Sequence, residues 1–515
     1  MARSVDSRAS NDVTPSGDGI VVAFEARDTG PASGLLDRFE TIRRDVCPWL
    51  LDSAQADGRL GRFSFAGSDP WAVLRARGRE LQLDVRREVH PAWRVGAHHW
   101  RGDPFEALRR LAPAGEPAGQ PTAVPFVGGA VGYFGYELVE QLEPVELRAT
   151  DGAPFPDLVF LLVDSLLAYD HARGRVHHCG LGFSTTRVGA LRAASGRVEA
   201  LAAREAAGSG VPTLPTPTAP TRPAAVEARH DAGSYAALVD TVKASIEEGD
   251  VYQACLTHRL EVDWAGEPWQ LYRRLRRSNP APFAAYLGLP EGAVLSSSPE
   301  RFLRVESGAR VEARPIKGTS DCGTTEASAE ASRTALAASA KDRAENVMIV
   351  DLYRNDLGRV CETGSVAVPE LCAIERHGRL HQMVSTVTGR LAEGRDRLDL
   401  VRAAFPPGSM TGAPKIAAMR LLAGLETVRR GVYSGALGYL DARGGMDLSV
   451  VIRTLLVSEG RAHVHVGGGV VADSRGPAEY RESMDKARAL LEALGTEIAG
   501  EDAPHDEQPA AVAEP

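Results

Sequence analysis

The sequence predicts an α+β fold, a layered sandwich of mostly antiparallel sheets with helices on the outside. Three observations carry this. From Val21 to Val176, apolar residues come in short runs such as Arg62–Gly67 (RFSFAG) and Leu158–Val163 (LVFLLV), broken by Gly, Pro and Asp. That is the pattern of strands joined by turns. Helical periodicity appears in separate blocks, near 34–46 and 103–112 and from Ala232 to Glu248. A chain of 515 residues also exceeds what one small core can organise, so one large or two intimate domains are expected.

In chain order, residues 1–20 are polar and read as a loose tail, and 21–206 form an N-terminal region. Within it, Phe126–Leu138 (FVGGAVGYFGYEL) sets four glycines among aromatics. No GK[ST] follows, so tight strand packing suits it better than a phosphate loop. Residues 207–226 (AGSGVPTLPTPTAPTRPAAV) are a Pro/Thr/Ala linker, 227–497 a second region, and 498–515 an acidic, disordered tail.

Composition removes several function classes. The net charge of −9 argues against nucleic-acid binding through general electrostatics. No apolar run is long enough to span a bilayer. The six scattered cysteines, without a CxxC pair, suit a reducing cytoplasm.

Unusual residues concentrate beyond the linker. Arg314-Pro315-Ile316-Lys317-Gly318-Thr319 sets one lysine between a proline-stiffened approach and a glycine turn, a setting that holds an amine still. Glu300 follows the small-residue turn Ser296–Pro299. A helix is expected from about Glu326 through Leu352, and a last helix carries Glu479, Glu482 and Lys486. Asp342 with Glu345, and Glu479 with Glu482, are acids three apart on one helix face each. Four carboxylates on two facing helices call for a cation, and oxygen-only ligands suit Mg²⁺. Gly467-Gly468-Gly469 is expected to follow the strand Ala462–Val466 and to turn its amides onto an anion. Arg453 is expected in mid-strand, where burial requires an anionic partner, a bound carboxylate or an internal acid. Lys486 shares a helix face with Glu479.

The stretches GDVYQ (249–253), SPE (298–300), PIKGT (315–319), KDRAENVMIVDLYRND (341–356), GSMTGAPK (408–415), IRT (452–454), GGGVVADS (467–474) and EYRESMDKAR (479–488) occur in this order. With them, the C-terminal half resembles the chorismate-utilising enzymes: anthranilate, isochorismate, salicylate and aminodeoxychorismate synthases. The N-terminal half is similar more weakly, through Leu50–Ser53 and Phe126–Leu138. Isochorismate and salicylate synthases place a water-activating lysine where this chain has Gln253. Anthranilate synthases have alanine where it has Lys317. The resemblance therefore implies the aminodeoxychorismate synthase component I branch, which makes 4-amino-4-deoxychorismate from chorismate and ammonia on the route to p-aminobenzoate. The rivals are anthranilate synthase and a non-catalytic amino-acid-binding subunit.

The resemblance also implies roles. Lys317 is the nucleophile, Glu300 the general acid, and His381 a residue near the leaving side of the ring. Thr319, Thr411, Gly412, Arg453, Gly467, Gly468, Gly469 and Lys486 bind substrate. Asp342, Glu345, Glu479 and Glu482 hold Mg²⁺. No GxCxG elbow surrounds any cysteine, so a separate glutamine amidotransferase is the expected ammonia source. Leu50, Asp52, Ser53, Pro280 and Phe283 resemble a tryptophan pocket, with Asp52 where glutamate is usual.

Overall fold

The computed structural model describes residues 20–31, 34–55, 60–112, 117–208, 225–306 and 308–496. The expected tails and the linker at 207–226 fall, apart from residues 20, 207, 208, 225 and 226, outside the described residues.

Two 12-stranded sheets form the body. The first runs from Val21–Pro31 and Arg175–Ser184 to Trp49–Asp52, then through Phe283–Leu289, Gly292–Ser298, Thr454–Ser458 and Arg461–Val470 to Gln253–Asp263. The second runs from Ile316–Asp321 and Leu380–Arg390 through Arg301–Val305, Met446–Val450 and Ala436–Asp441, then Gly129–Phe134 and Leu158–Val163, to Gly96–Arg101. Each sheet thus takes five of its described strands from the N-terminal part and seven from the C-terminal part. The halves join by antiparallel ladders, Ala284 opposite Asp52 in one sheet and Gly438 opposite Gly132 in the other.

The core lies between the sheets. Phe126 stacks on Tyr439 of the second sheet at 4.6 Å and meets Phe65 of the first edge-on at 5.6 Å. Helices cover the outer faces: Pro268–Ser278 and Gly476–Leu494 on the first sheet, Ala340–Gly358 and Arg397–Ala404 on the second. The α+β sandwich expected from the sequence is the fold observed.

The expected early helices form as Leu36–Ile42 and Pro104–Leu111, the latter capped by Asp103, which accepts from the amides of Phe105 and Glu106. Ala232–Glu247 is capped by Asp231. The single helix expected over 326–352 is two, Glu326–Ala338 and Ala340–Gly358. Ser339 turns to ψ 110° and its hydroxyl caps the second helix at the Asp342 amide. Helix Arg187–Gly208 was not expected; its buried stripe is only Ala190, Ala194, Val198 and Leu201, a weak hydrophobic signal interrupted by glycines. No helix among the described residues is long and apolar enough to cross a membrane.

The Phe126–Leu138 glycines act as packing residues. A Cβ on Gly132 would lie 1.9 Å from the Val159 carbonyl oxygen. Gly132→Ala should therefore lower the urea midpoint sharply or prevent soluble expression. Gly196, exposed in helix Arg187–Gly208 with nothing within 4 Å of a built Cβ, should gain about 1 kcal/mol on change to Ala. Equal effects from the two would show that sheet packing does not constrain Gly132.

Candidate active site

Two places where the chain crosses from one sheet to the other lie side by side. At Pro299-Glu300 it leaves Gly292–Ser298 for Arg301–Val305, and at Val451–Arg453 it leaves Met446–Val450 for Thr454–Ser458. The Val450 amide donates to the Glu300 carbonyl at 3.0 Å, the Ser298 hydroxyl to the Val450 carbonyl at 2.6 Å, and the Ser297 amide to the Arg453 carbonyl at 3.0 Å. Arg453 is therefore not in mid-strand: it turns the crossing at φ 50°. Burial lowers the pKa of its guanidinium, which forms no ion pair among the described residues.

Glu300 is 3% exposed, and its Oε1 is buried without a hydrogen-bond partner. Burial pushes its carboxyl up to about 7, against the opposing pull of Ser409, Lys317 and the Ile316 amide. A carboxyl near 7 can hold a proton at neutral pH and give it up, the property of a general acid. Ser409, whose hydroxyl is buried beside that carboxyl, was missed by the sequence reading because serine beside a glycine reads as a turn.

Lys317 projects from Ile316–Asp321. Ile316 pairs with Val384 and Thr319 with Gln382, so three steps on one strand face two on the other. The extra residue is a β-bulge at Lys317-Gly318, with Gly318 at φ 84°. A Cβ there would lie 2.9 Å from the Asp342 side chain, so both torsion and space require glycine. The Lys317 amine stands 3.8 Å from Glu345 Oε2, and a Cβ on Gly469 would come within 3.1 Å of it.

The glycine run does not follow the strand as expected; it lies inside Arg461–Val470, opposite Thr257, Leu256 and Cys255. Successive amides of a strand point to opposite edges, so these cannot converge on one anion. The glycines serve by what they lack. The space beside Gly468 is faced by Glu479 Oε2 (3.1 Å from a built Cβ), Glu482 Oε1 (3.7 Å) and the Lys486 amine (3.7 Å). Gly469 leaves room for Gln253, whose buried amide has no hydrogen-bond partner on either atom.

The four acids do sit on two helices, Ala340–Gly358 and Gly476–Leu494, interleaved with lysines. Lys486 donates to Glu482 at 2.7 Å and to the Gly467 carbonyl at 2.9 Å. Lys341, which the sequence reading passed over, stands 3.9 Å from Glu345; its i,i+4 spacing was the available signal. Burial and then Glu482 raise Glu479, opposed by its hydrogen bond from Ser474, and its Oε2 is buried and unpartnered. Among the described residues no three of His, Cys, Asp and Glu stand close enough together to hold a metal.

Other expected residues are less central. His381 is buried with Nδ1 3.6 Å from the Cys322 sulfur, and Thr319 is exposed. Thr411 is buried, its hydroxyl donating to the Gly408 carbonyl, and its own carbonyl accepts from the Cys255 amide. Gly412 has a packing role, since a Cβ would lie 2.1 Å from the Gln253 carbonyl oxygen.

A cavity of about 140 Å³ opens between the sheets, lined by Leu51, Asp52, Ser53, Pro282, Phe283 and Tyr439 among others. Leu50 and Pro280 do not line it. Strand alternation turns Leu50 into the opposite core beside Tyr286, and puts Leu51 in its place. Asp52 is bound by Arg276 and by the Tyr272 hydroxyl at 3.2 Å.

A sequence profile described as chorismate binding enzyme matches residues 58–492. The chain belongs to the chorismate binding enzyme family. Relatives include an aminodeoxychorismate synthase of Streptomyces griseus, 41% identical over 89% of this chain and 62% of that one. The chain thus spans less than two thirds of that relative. The aminodeoxychorismate synthase component 1 of Klebsiella aerogenes is 39% identical over 87% of this chain and 94% of its own length. The anthranilate synthase component 1 of Mycolicibacterium smegmatis is 37% identical over 87% and 85%. Among solved structures, anthranilate synthase component I of Streptococcus pneumoniae superposes with a TM-score of 0.72 at 29% identity, covering 84% of this chain and 92% of that one. The menaquinone-specific isochorismate synthase of Escherichia coli shares the fold, with a TM-score of 0.67 at 17% identity over 92% and 95%.

The folded chain holds the Glu300 proton more tightly than the unfolded chain, where the ordinary value is 4.5. That contribution is fully present below about pH 4.5 and is lost as pH rises through about 7, a change on the order of 3 kcal/mol. Glu300→Gln, neutral at every pH, should unfold at higher urea than the parent at pH 8 and at the same urea at pH 4. A gap independent of pH would contradict the burial of this carboxyl.

Proposed function

We propose that the chain is the chorismate-converting component of an aminodeoxychorismate synthase, working in the cytoplasm and exchanging the 4-hydroxyl of chorismate for an amino group. The observation that carries this reading is Lys317, held on a bulge with its amine over Gly469 and close enough to Glu300 to oppose the upward shift of that carboxyl. A glycine-backed amine beside a carboxyl near 7 pairs a nucleophile with an acid. The names of the Streptomyces and Klebsiella relatives support the same reading.

In this mechanism the unprotonated Lys317 amine bonds to ring C2. The two ring double bonds shift, the C4–O bond breaks, and Glu300 gives its proton to the departing oxygen, releasing water. Ammonia then bonds to C4, the double bonds return, and the C2–N bond breaks. Lys317 leaves with its electron pair, and the proton shed by the new amine restores Glu300. The enolpyruvyl group is untouched. Arg453, a half-buried cation lacking an acidic partner among the described residues, is suited to a substrate carboxylate.

The carboxylates suit Mg²⁺ by their chemistry, although as placed no three of them among the described residues stand close enough together to ligate it. Glu479 Oε2, which has no partner, and Glu482 Oε1, which accepts from Lys486, face the space left by Gly468 and are both oxygen donors. Glu345, Glu479 and Glu482, with Asp342 beside them, would hold the ion, which when bound neutralises the ring carboxylate. We assign tryptophan to the cavity at Asp52 and Phe283, whose lining includes the aromatic rings of Phe63, Phe65, Phe283 and Tyr439.

Chorismate supplied without ammonia should leave a mass increase on the peptide containing Lys317, read by mass spectrometry. Lys317→Ala should lose that adduct, slow product formation by on the order of 100-fold, and shift products toward substitution at C2. Lys317→Arg should be no better, because guanidinium stays protonated. No adduct, with arginine more active than alanine, would reduce Lys317 to an electrostatic role. Anthranilate as the parent's main product would favour the mycobacterial relatives' activity instead.

The metal assignment has its own readout. Glu345→Gln and Glu482→Gln should each weaken Mg²⁺ binding by about 10–100-fold in calorimetry while leaving the circular dichroism spectrum unchanged. Unchanged affinity in both would remove these residues from the site.

A further inference from the structure

Tyr353 is a tyrosine where packing asks only for a phenylalanine. It belongs to the buried stripe of helix Ala340–Gly358, one turn from Ile349 and one from Leu357, and is 0% exposed. Its ring lies 6.3 Å from that of Phe302, two residues past Glu300. Its hydroxyl has no hydrogen-bond partner among the described residues. An unpaired buried hydroxyl is costly, and phenylalanine would avoid the cost.

The neighbours show what this hydroxyl serves. Burial first, then the charges of Glu300 and Asp356, push the Tyr353 hydroxyl well up, so the phenol lies within electrostatic reach of both carboxyls. Glu300 Oε1 is likewise buried and without a partner. Ser409 acts on the same carboxyl, and its loop is pressed onto the helix. A Cβ on Gly408 would lie 3.4 Å from the side chain of Leu352, the residue before Tyr353. Crossing, loop and helix thus bring three oxygens to one enclosed place. Buried oxygens that lack protein partners and lie near one another are joined by an ordered water, which makes about three hydrogen bonds.

We propose that a buried water joins the Tyr353 hydroxyl to Glu300 Oε1 and the Ser409 hydroxyl, and that through it Tyr353 positions the proton of the general acid. The inference rests on the function proposed above. Tyr353 touches neither substrate nor reacting atoms, so it is a positioning residue. The phenol donates to the water, and the water donates to Oε1. An oxygen that accepts in this way is the carbonyl oxygen of the protonated carboxyl, so the proton rests on Oε2 before chorismate arrives. When that proton leaves with the departing oxygen, the same donors face an enclosed carboxylate and hold it until the new amine returns a proton. No proton passes along the water, so the balance of the reaction is unchanged. The charged groups around this unit are Lys317, which acts on Glu300 from the bulged strand, and Asp356, which acts on the phenol and is paired with Lys415 at 2.6 Å.

The test uses the full chain and reads Glu300 directly. Infrared difference spectra between the chain and its Glu300→Gln variant isolate the carbonyl band of the protonated carboxyl, which is followed through its titration at about 7. Tyr353→Phe should raise that titration by about half a unit to one unit and move the band to higher frequency, as loss of a hydrogen bond to Oε1 requires. With ammonium as the nitrogen source, kcat should fall about tenfold at unchanged KM for chorismate. Ser409→Ala should shift the titration the same way, and the double variant no further than the larger single shift, since both hydroxyls share one water. Ile349→Val trims the same buried stripe without removing a hydrogen bond and should change neither readout. A crystal structure should place a water about 3 Å from all three oxygens. Lost turnover in Tyr353→Phe with the band and titration of the parent would overturn the inference, because packing alone would explain the loss. An unshifted band in both single variants, or no water among the three oxygens, would overturn it too. A parent that shows the band shifts but makes no aminodeoxychorismate from chorismate and ammonium would overturn the proposed function, and with it the role of the acid, while the link from Tyr353 to Glu300 stands.

Discussion

Two chain crossings, tied by three hydrogen bonds among Ser297, Ser298, Glu300, Val450 and Arg453, are what the rest of the site depends on. A crossing between packed sheets is covered from both sides, which is why Glu300 loses nearly all contact with solvent. Desolvation then sets its proton affinity. The second crossing delivers Arg453 with a left-handed backbone and without an acidic partner among the described residues. The buried Glu300 carboxyl and the unpaired Arg453 guanidinium thus arise from one pair of linked crossings.

The glycines around the site work by subtraction. Gly318 makes room for Asp342, Gly468 for Glu479, Glu482 and Lys486, and Gly469 for Gln253 and Lys317. Side chains from two sheets and two helices meet because the intervening strand is bare. Other motif residues hold this arrangement in place. Lys415 donates to Asp356 at 2.6 Å and to the carbonyls of Ala404 and Pro406, pinning the Gly408–Pro414 loop to the helix that carries Glu345. Arg430 joins Glu426 to the Met410 and Cys255 carbonyls on the loop's other side.

Much of this was legible in the sequence. Strand alternation and turn residues are local signals, and they sufficed for the α+β sandwich. The setting of Lys317 was readable because Pro315 and Gly318 constrain torsions locally. What sequence could not show was where strands end relative to one another. Arg453 lies between two apolar runs with no turn residue beside it, so nothing local marks a change of sheet. The glycine run looked like a loop because glycine usually signals one, whereas here a partner strand holds it extended. Leu50 for Leu51 was an error of one residue, and with a period of two that reverses the face. Ser339 broke a helix that alanines on either side would have continued.

The interleaving of the two halves bears on how the chain is made. Strand Gly129–Phe134 waits for Ala436–Asp441, its neighbour on one edge, which leaves the ribosome roughly 300 residues later. At about 5–20 residues per second that interval is on the order of 15–60 seconds. Through it, a strand with all six residues destined for burial has one edge unsatisfied. Gly129 and Gly132 have no side chain to add to the exposed apolar surface, and both are required by the finished sheet. Nascent chains of this architecture therefore depend on protection during synthesis more than two independently folding domains of the same length would.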